Sequence, residues 1–342
     1  MTGAVEPNHP MDEHILIIEG ARTPMGGLQG ALSPMPAPEL GSIAITATLE
    51  RGSLAPSSID EVFMGCVLPA GLKQCPARQA AIGAGIPPSA GAVTINKACG
   101  SGMQAAIFAY DSIIAGTNNL VIAGGMESMS RAPHMILGAR GGVGTGDTEM
   151  VDHMFTDGLE DAYTGRAMGS FAQETADAKG ITREQMDAYA LESLARAKRA
   201  IEDGDLADEI VPVTVKTRRS EHLVSDDEQP HKADVDRIPK LRPAFAKDGT
   251  ITAANASSIS DGASALLLAR ASVAQAHGLT GCASIVAHAR HSQAPGEFTI
   301  APIGAINTLL DKTGWSVDDV DLFEINEAFA MVTMMAIDEL GL

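Results

Sequence analysis

The chain has 342 residues, 45% of them hydrophobic, which is enough for a large core and for more than one structural unit. Its formal net charge of −19, from 24 basic and 43 acidic residues, argues against a nucleic-acid binder, which carries a basic footprint. Thirty-five glycines with only 4% aromatics point to tight turns and close backbone packing.

Residues Ile15 to Ile18 of "HILIIEGARTP" read as a buried strand that ends in a Gly-Ala-Arg-Thr-Pro turn. "PAPELGSIAITATLERGSL" has helical apolar spacing, with Pro38 suited to a first turn. A second strand is expected around Val62 to Met64, then a helix in "CPARQAAIGAGI", a strand in "AVTIN", and a helix in "GSGMQAAIFAYDSIIAG" ended by Gly116. "NLVIAGGMESMS" reads as a strand running into a glycine turn. Strands alternating with helices predict an α/β unit with a mostly parallel sheet.

From about Arg131 to Ala254 the pattern becomes irregular. The exception is "ITREQMDAYALESLARAKRAIEDG", an amphipathic helix with Thr182 as N-cap, Gln185 three residues on, and Gly204 past its end. "EIVPVTVKTRRSEH" is a short strand leading into the basic cluster Lys216, Arg218 and Arg219, and "SDDEQPHKADVDRIPKLRPAF" is charged and loop-like. "ITAANASSISDGASALLLAR" returns to core-like sequence. Finally "APIGAINTLLDKTGWSVDDVDLFEIN" repeats the plan of "APELGSIAITATLERGSLAPSSIDEVFMG", a proline-led helix, a loop, S-(I/V)-D and a short apolar strand. That echo predicts a duplicated half, with the second copy incomplete.

The four cysteines, Cys66, Cys75, Cys99 and Cys282, form no C-x-x-C pair, so neither a disulfide framework nor a metal site is expected. No apolar run reaches membrane-spanning length, and "MTGAVEPNHPMDEH" is polar and acidic, unlike a signal peptide. A soluble cytoplasmic protein with no nucleic-acid or membrane partner is expected.

Three places can carry chemistry. Cys99 stands at a strand-to-helix turn, where free N–H groups and the helix dipole stabilise a thiolate. A buried structural cysteine is the competing reading. In "FEINEAFA", Asn326 can hold a water or an oxyanion, or serve as a helix N-cap. The basic cluster can meet phosphates or form a solvated face. Nine histidines, among them His153, His288 and His291, show no ligand spacing with a cysteine, and none stands out as a base for a thiol. A hydrolase with a cysteine nucleophile shares the same turn.

At these residues the chain resembles the thiolase family, in its acetyl-CoA acetyltransferase and acyltransferase members. The matches run in family order: "IIEGARTP", "NKACGSGMQA", "VIAGGMESMSRAPH", "DGLEDAYTGRAMGSFAQETA", "LRPAFAKDGTITAANASSISDGASALLL" and "DLFEINEAFA". The resemblance implies a layered αβαβα fold with two similar halves. Residues 1–130 plus 255–280 would form the N-terminal half, 131–254 an inserted loop domain covering CoA, and 281–342 the start of an incomplete C-terminal half. It implies an acyl-CoA C-acyltransferase working through an acyl-Cys99 thioester, with Asn326 holding a water at the enolate oxygen. Met168, Phe245, Ala253, Ser257, Ala328 and Phe329 would line the CoA and acyl site, Ser257 against the pantetheine arm. Coenzyme A thioesters would be substrates, with no permanent cofactor and no metal, and the protein would be a homodimer or homotetramer. Ala167 stands where some short-chain members have a histidine, which fits a broader acyl preference. The family's Gly-His-Pro and Cys-x-Gly-Gly-Gly motifs do not occur in the 342 residues, so a missing C-terminal segment is expected. The alternative is a truncated inactive thiolase, or a thiolase-like protein that binds CoA without turnover.

Overall fold

The computed structural model describes residues 14–218 and 220–342; the acidic stretch up to Glu13 and Arg219 of the basic cluster lie outside the described residues. The strands are β1 (Ile15–Arg22), β2 (Gly26–Gly27), β3 (Glu61–Gly65), β4 (Gly91–Ile95), β5 (Leu120–Ser128), β6 (His134–Met135), β7 (Val151–Asp152), β8 (Val213–Lys216), β9 (Glu221–Val224), β10 (Ser260–Arg270) and β11 (Ala283–Ile285). The helices are α1 (Ala37–Arg51), α2 (Pro76–Gly83), α3 (Ser101–Ile114), α4 (Met168–Lys179), α5 (Arg183–Asp203), α6 (Glu228–Lys232), α7 (Ala271–Ala276), α8 (Ala301–Thr313) and α9 (Ala330–Leu340). The chain divides into two compact units. One holds the residues up to Gly158 with Leu206–Gln229 and Ile259–Val286, the other Leu159–Asp205, Pro230–Ser258 and Ala287–Leu342.

In the first unit the sheet runs β11-β1-β10-β5-β3-β4, with β2 paired on β10. β3 is parallel to β4 and β5, but β10 is antiparallel to β1, β2 and β5, and β11 to β1. The sheet is therefore mixed, and the expectation of a mostly parallel one is corrected. The helix–strand alternation from β1 to β5 set that expectation. The strand that fills the sheet centre, β10, enters from far down the sequence, where nothing in its local pattern fixes a direction.

Helices cover both faces, so neighbouring strand residues are buried in opposite layers. Val62, Met64, Ile122 and Leu267 join Leu40, Ala44 and Ile45 of α1 and Ala77 and Ala80 of α2 in one cluster. Val121, Ala123 and Leu268 join Ala105, Ala109 and Ile113 of α3 in the other. The expected glycine turn after β5 is also corrected, because the strand continues through Gly124 and Gly125 to Ser128. A side chain at Gly124 would collide with the Ser264 carbonyl of β10. These glycines permit close approach rather than a turn.

The second unit packs α4, α5 and α9 around Ala172, Ala176, Met186, Ile251, Phe329 and Met331. The predicted capping box of α5 is present. The Thr182 hydroxyl accepts from the Gln185 N–H at 3.3 Å, the Gln185 side chain accepts from the Thr182 N–H at 2.8 Å, and Gly204 closes the helix in the left-handed region. The internal echo holds for α8, with Pro302 in its first turn, and for the 3₁₀ turn Val317–Asp319 that follows. It fails at the next step, for Leu322–Glu327 form no strand where the equivalent stretch makes β3. Among the described residues no strand pairs with this segment, and an extended segment without a ladder is not a strand. No described helix is long and apolar enough to cross a membrane.

Candidate active site

β4 delivers the chain to Asn96, and five residues later α3 begins at Ser101. The turn Asn96–Gly100 is exposed, Cys99 included, which removes the structural-filler reading of that cysteine. Ala98 sits at φ +45°, in the left-handed region that costs a non-glycine residue on the order of 1 kcal/mol. Three hydrogen bonds hold it there. The Ala98 N–H donates to Asn96 Oδ1 at 3.1 Å, and the Ser101 hydroxyl donates to the Ala98 carbonyl at 2.6 Å while accepting the Lys97 N–H at 2.8 Å. The strained residue turns the backbone so that Cys99 stands at the N-terminus of α3, two residues before its first helical residue Ser101.

Glycines let that helix end sit directly on the sheet. A Cβ on Gly65 of β3 would lie 2.7 Å from Ser101 Cβ and 2.8 Å from the Gly102 nitrogen. Gly102 itself faces Gly124 and Gly125 at backbone contact distance. The "GG" of β5 thus serves close packing beside the Cys99 helix.

A buried polar cluster that sequence reasoning missed supports the turn from below. Glu127, at the end of β5, accepts the Val67 N–H at 2.7 Å, the Leu68 N–H at 3.2 Å and the Cys66 thiol at 3.7 Å. The Val67 carbonyl in turn accepts from Asn96 Nδ2 at 3.4 Å, which links the cluster to the Cys99 turn. Nearby, buried His153 accepts the Ala70 N–H on Nε2 at 3.3 Å, so its proton sits on Nδ1 and is donated to Asp157 at 2.6 Å. Burial pushes the Glu127 carboxyl up, against the two backbone N–H groups that favour its charge. In the sequence Glu127 is an acidic residue two positions past a glycine pair, which points to no partner.

Burial, followed by the neighbouring Glu127, pushes the Cys66 thiol up to about 12. Cys66 therefore stays protonated at mildly alkaline pH (about 8), where only a thiolate reacts. Iodoacetamide is expected to modify exposed Cys75, Cys99 and Cys282 in the folded protein and to leave Cys66 unmodified until denaturant is added. Peptide mass spectrometry reads the outcome directly, and early labelling of Cys66 would contradict its burial.

The other predicted residues lie in the second unit. Phe245 and Phe329 meet edge to face at 6.2 Å between centroids, and Gly169, next to Met168 at the start of α4, lies against the Phe245 ring. Asn326, Glu327 and Ala328 form a tight turn, with the Ala328 N–H donating to the Asn326 carbonyl at 2.9 Å. Ser257 pins this turn: its N–H donates to the Ala328 carbonyl at 3.0 Å, and its hydroxyl lies 2.7 Å from the Glu327 carbonyl and 3.0 Å from that of Ala328. The Asn255 carbonyl accepts the Ala330 N–H at 2.8 Å. The unit thus gathers Ser257, Asn326, Ala328 and Phe329 about one turn, with Phe245 and Met168 beside it. Ala253 is exposed at the tip of a loop held by Thr252 and Asn255. Asn326 is exposed and precedes α9 by four residues, and Phe329 occupies the N-cap position, so the N-cap reading of Asn326 is set aside. Among the described residues no group of His, Cys, Asp and Glu is arranged to hold a metal ion.

Comparison with known proteins supplies the remaining findings. A family model described as "Thiolase, N-terminal domain" matches residues 15–272, and one described as "Thiolase, C-terminal domain" matches residues 279–342. The chain is 45% identical over 331 residues to an acetyl-CoA acetyltransferase of Pseudomonas aeruginosa, covering 96% of this chain and 84% of that protein. It is 46% identical over 337 residues to acetyl-CoA acetyltransferase 2 of Arabidopsis thaliana, covering 98% and 83%. The crystal structure of the Acat5 thiolase from Ascaris suum in complex with coenzyme A superposes with a TM-score of 0.91 at 39% identity, over 96% of this chain and 85% of that one. The fold at residues 14–342 is that of a thiolase. Because a C-terminal domain is matched at 279–342, the expectation of a missing C-terminal segment gains no support from these comparisons.

Proposed function

The chain belongs to the thiolase family, and from that premise we propose how it works as an acyl-CoA C-acyltransferase with Cys99 as its acyl carrier. The Cys99 thiolate attacks the carbonyl carbon of an acyl-CoA thioester, the oxygen takes the negative charge, and the CoA thiolate leaves. The product is an acyl-Cys99 thioester, which keeps the acyl group activated. An acetyl-CoA then loses a proton from its methyl carbon, which ends on the released CoA thiolate as free CoA, and the carbanion attacks the acyl-Cys99 carbonyl. The carbon–carbon bond forms as the Cys99 thiolate departs, giving a 3-ketoacyl-CoA. Thiolysis is the same path reversed.

The Cys99 N–H at the start of α3 is assigned to the oxyanion of the acyl-transfer step, and a water on Asn326 to the enolate oxygen of the condensation step. Met168, Phe245, Ala253, Ser257, Ala328 and Phe329 are assigned to the CoA and acyl site, and residues 131–254 to the segment that covers CoA. Ser257 would contribute its accepting lone pairs, since its proton is directed at the carbonyls of the Asn326 turn. Ala167 in place of a histidine supports a broader acyl preference. CoA thioesters are the proposed substrates, without a resident cofactor, and the proposed form is a cytoplasmic homodimer or homotetramer.

The observation that carries the reading is the exposed Cys99 on a strained, hydrogen-bonded turn at a helix N-terminus. Incubation with acetyl-CoA followed by peptide mass spectrometry is expected to place one acetyl group on the Cys99 peptide. Acetylation at another residue, or none on folded protein, would overturn the assignment.

A further inference from the structure

Glu327 follows Asn326 directly, and its carboxylate is held from one side of α5. The Tyr189 hydroxyl donates to Oε1 at 3.0 Å and the Ser193 hydroxyl to Oε2 at 2.9 Å. Tyr189 and Ser193 are four residues apart on a helix, so they face the same way and meet the two oxygens of one carboxylate. A carboxylate has no proton to give, and each oxygen here receives its own donor. Burial and the charge of Glu327 hold the Tyr189 phenol above its ordinary range, so it remains a donor.

The same residue is fixed a second time through its main chain, where Ser257 lies 2.7 Å from its carbonyl. A residue held at both its backbone and its side chain has little freedom to rotate. The neighbouring peptide, closed by the bond from the Ala328 N–H to the Asn326 carbonyl, is fixed with it. Side chains on a three-residue turn are oriented by the torsions of that turn, and the clamp sets them.

We propose that Tyr189 and Ser193 are positioning residues for the thiolase reaction, gripping Glu327 so that the Asn326 amide points where its water must stand. The inference rests on the role given to Asn326 above. It separates the two half-reactions, because Cys99 acylation does not use Asn326 and carbon–carbon bond formation does. The clamp should therefore leave the first step alone and slow the second.

The test uses the full chain with Tyr189→Phe and Ser193→Ala, singly and together. Tyr189→Phe keeps the ring and its packing. Acetyl transfer from acetyl-CoA to Cys99, followed by quenched mass spectrometry, is expected to stay within about twofold of wild type. Acetoacetyl-CoA formation or thiolysis is expected to fall roughly tenfold, the scale of a misplaced catalytic group short of its removal. Glu327→Gln should retain an intermediate rate, since its amide oxygen still accepts from Tyr189 and its N–H₂ can donate to Ser193. In an Asn326→Ala background, Tyr189→Phe should change the second step no further. Equal losses in both half-reactions, losses that multiply with that of Asn326→Ala, or an unchanged second step would overturn the clamp. Absence of any Cys99 adduct in the wild type would instead overturn the proposed function on which the clamp depends.

Discussion

Cys99→Ala is expected to abolish the acetyl adduct and to lower turnover about 10³-fold or more, equivalent to roughly 4 kcal/mol of transition-state stabilisation. The substitution removes the only atom proposed to carry the acyl group. It should leave folding intact, because Cys99 is exposed and belongs to none of the buried core clusters. Cys99→Ser is the sharper variant: it preserves the turn and the hydrogen-bond pattern, but a hydroxyl ionises far less readily than a thiol, and serine is an equally poor acyl carrier here unless a strong base is at hand. The paired control is Cys282→Ala, in a residue on the edge of β11 that the reaction does not use, where turnover should stay within about twofold. Turnover that survives Cys99→Ala would remove the covalent mechanism altogether.

Gly65→Ala is expected to damage the same step from beneath the helix. The new methyl would sit 2.7 Å from Ser101 Cβ and 2.8 Å from the Gly102 nitrogen, distances that real Cβ atoms do not keep. Neither neighbour is the free end of a flexible chain. Ser101 is buried and its hydroxyl is engaged with Lys97 and Ala98, and Gly102 already rests on the backbone of β5. The start of α3 must lift, and it carries the Cys99 turn with it. Overpacking of this kind costs roughly 1–3 kcal/mol of stability, and a displacement approaching 1 Å at a reacting group costs on the order of 100-fold in rate. Urea unfolding and the rate of Cys99 acetylation measure the two effects. Gly116→Ala, at the other end of α3, is the control. There φ is +73° with nothing within 4 Å, so backbone strain of about 1 kcal/mol should appear in stability while acetylation is unchanged. Equal acetylation rates for Gly65→Ala and Gly116→Ala would show that the glycine contact does not place the nucleophile.

Both predictions depend on features that differ in how they could be read. The Cys99 turn was visible as a pattern: an apolar strand, a cysteine, two glycines two apart and a helix of small residues. The capping box of α5 was equally local, since all its atoms lie within four residues. Glu127, by contrast, gave no usable signal. Its value comes from Val67 and Leu68, about sixty residues earlier, presenting two N–H groups to it from just past the end of β3, the strand parallel to β5. The clamp on Glu327 was hidden for the same reason, because Tyr189 and Ser193 stand more than a hundred residues away on a helix whose sequence shows only amphipathic spacing.

The errors have one origin as well. In sequence β10 reads as core-like without a direction, the glycines of β5 as a turn, and the apolar stretch of "DLFEIN" as a strand. Each depends on a partner: the neighbour that fixes strand polarity, the opposing carbonyl that demands glycine, and the ladder without which an extended segment stays irregular.

By itself the sequence determined the periodic elements, the caps, the identity of Cys99 and Asn326 as the residues to watch, and the family motifs that join them. These rest on interactions between residues within a few positions of each other, where spacing fixes geometry. Only the tertiary structure decided the mixed polarity of the sheet, the strain at Ala98, the protonated Cys66 beside a buried carboxylate, and the two hydroxyls that grip Glu327. Those arise where distant segments meet, and the free energy of burial and of long-range hydrogen bonds is set by that meeting rather than by any local run of residues.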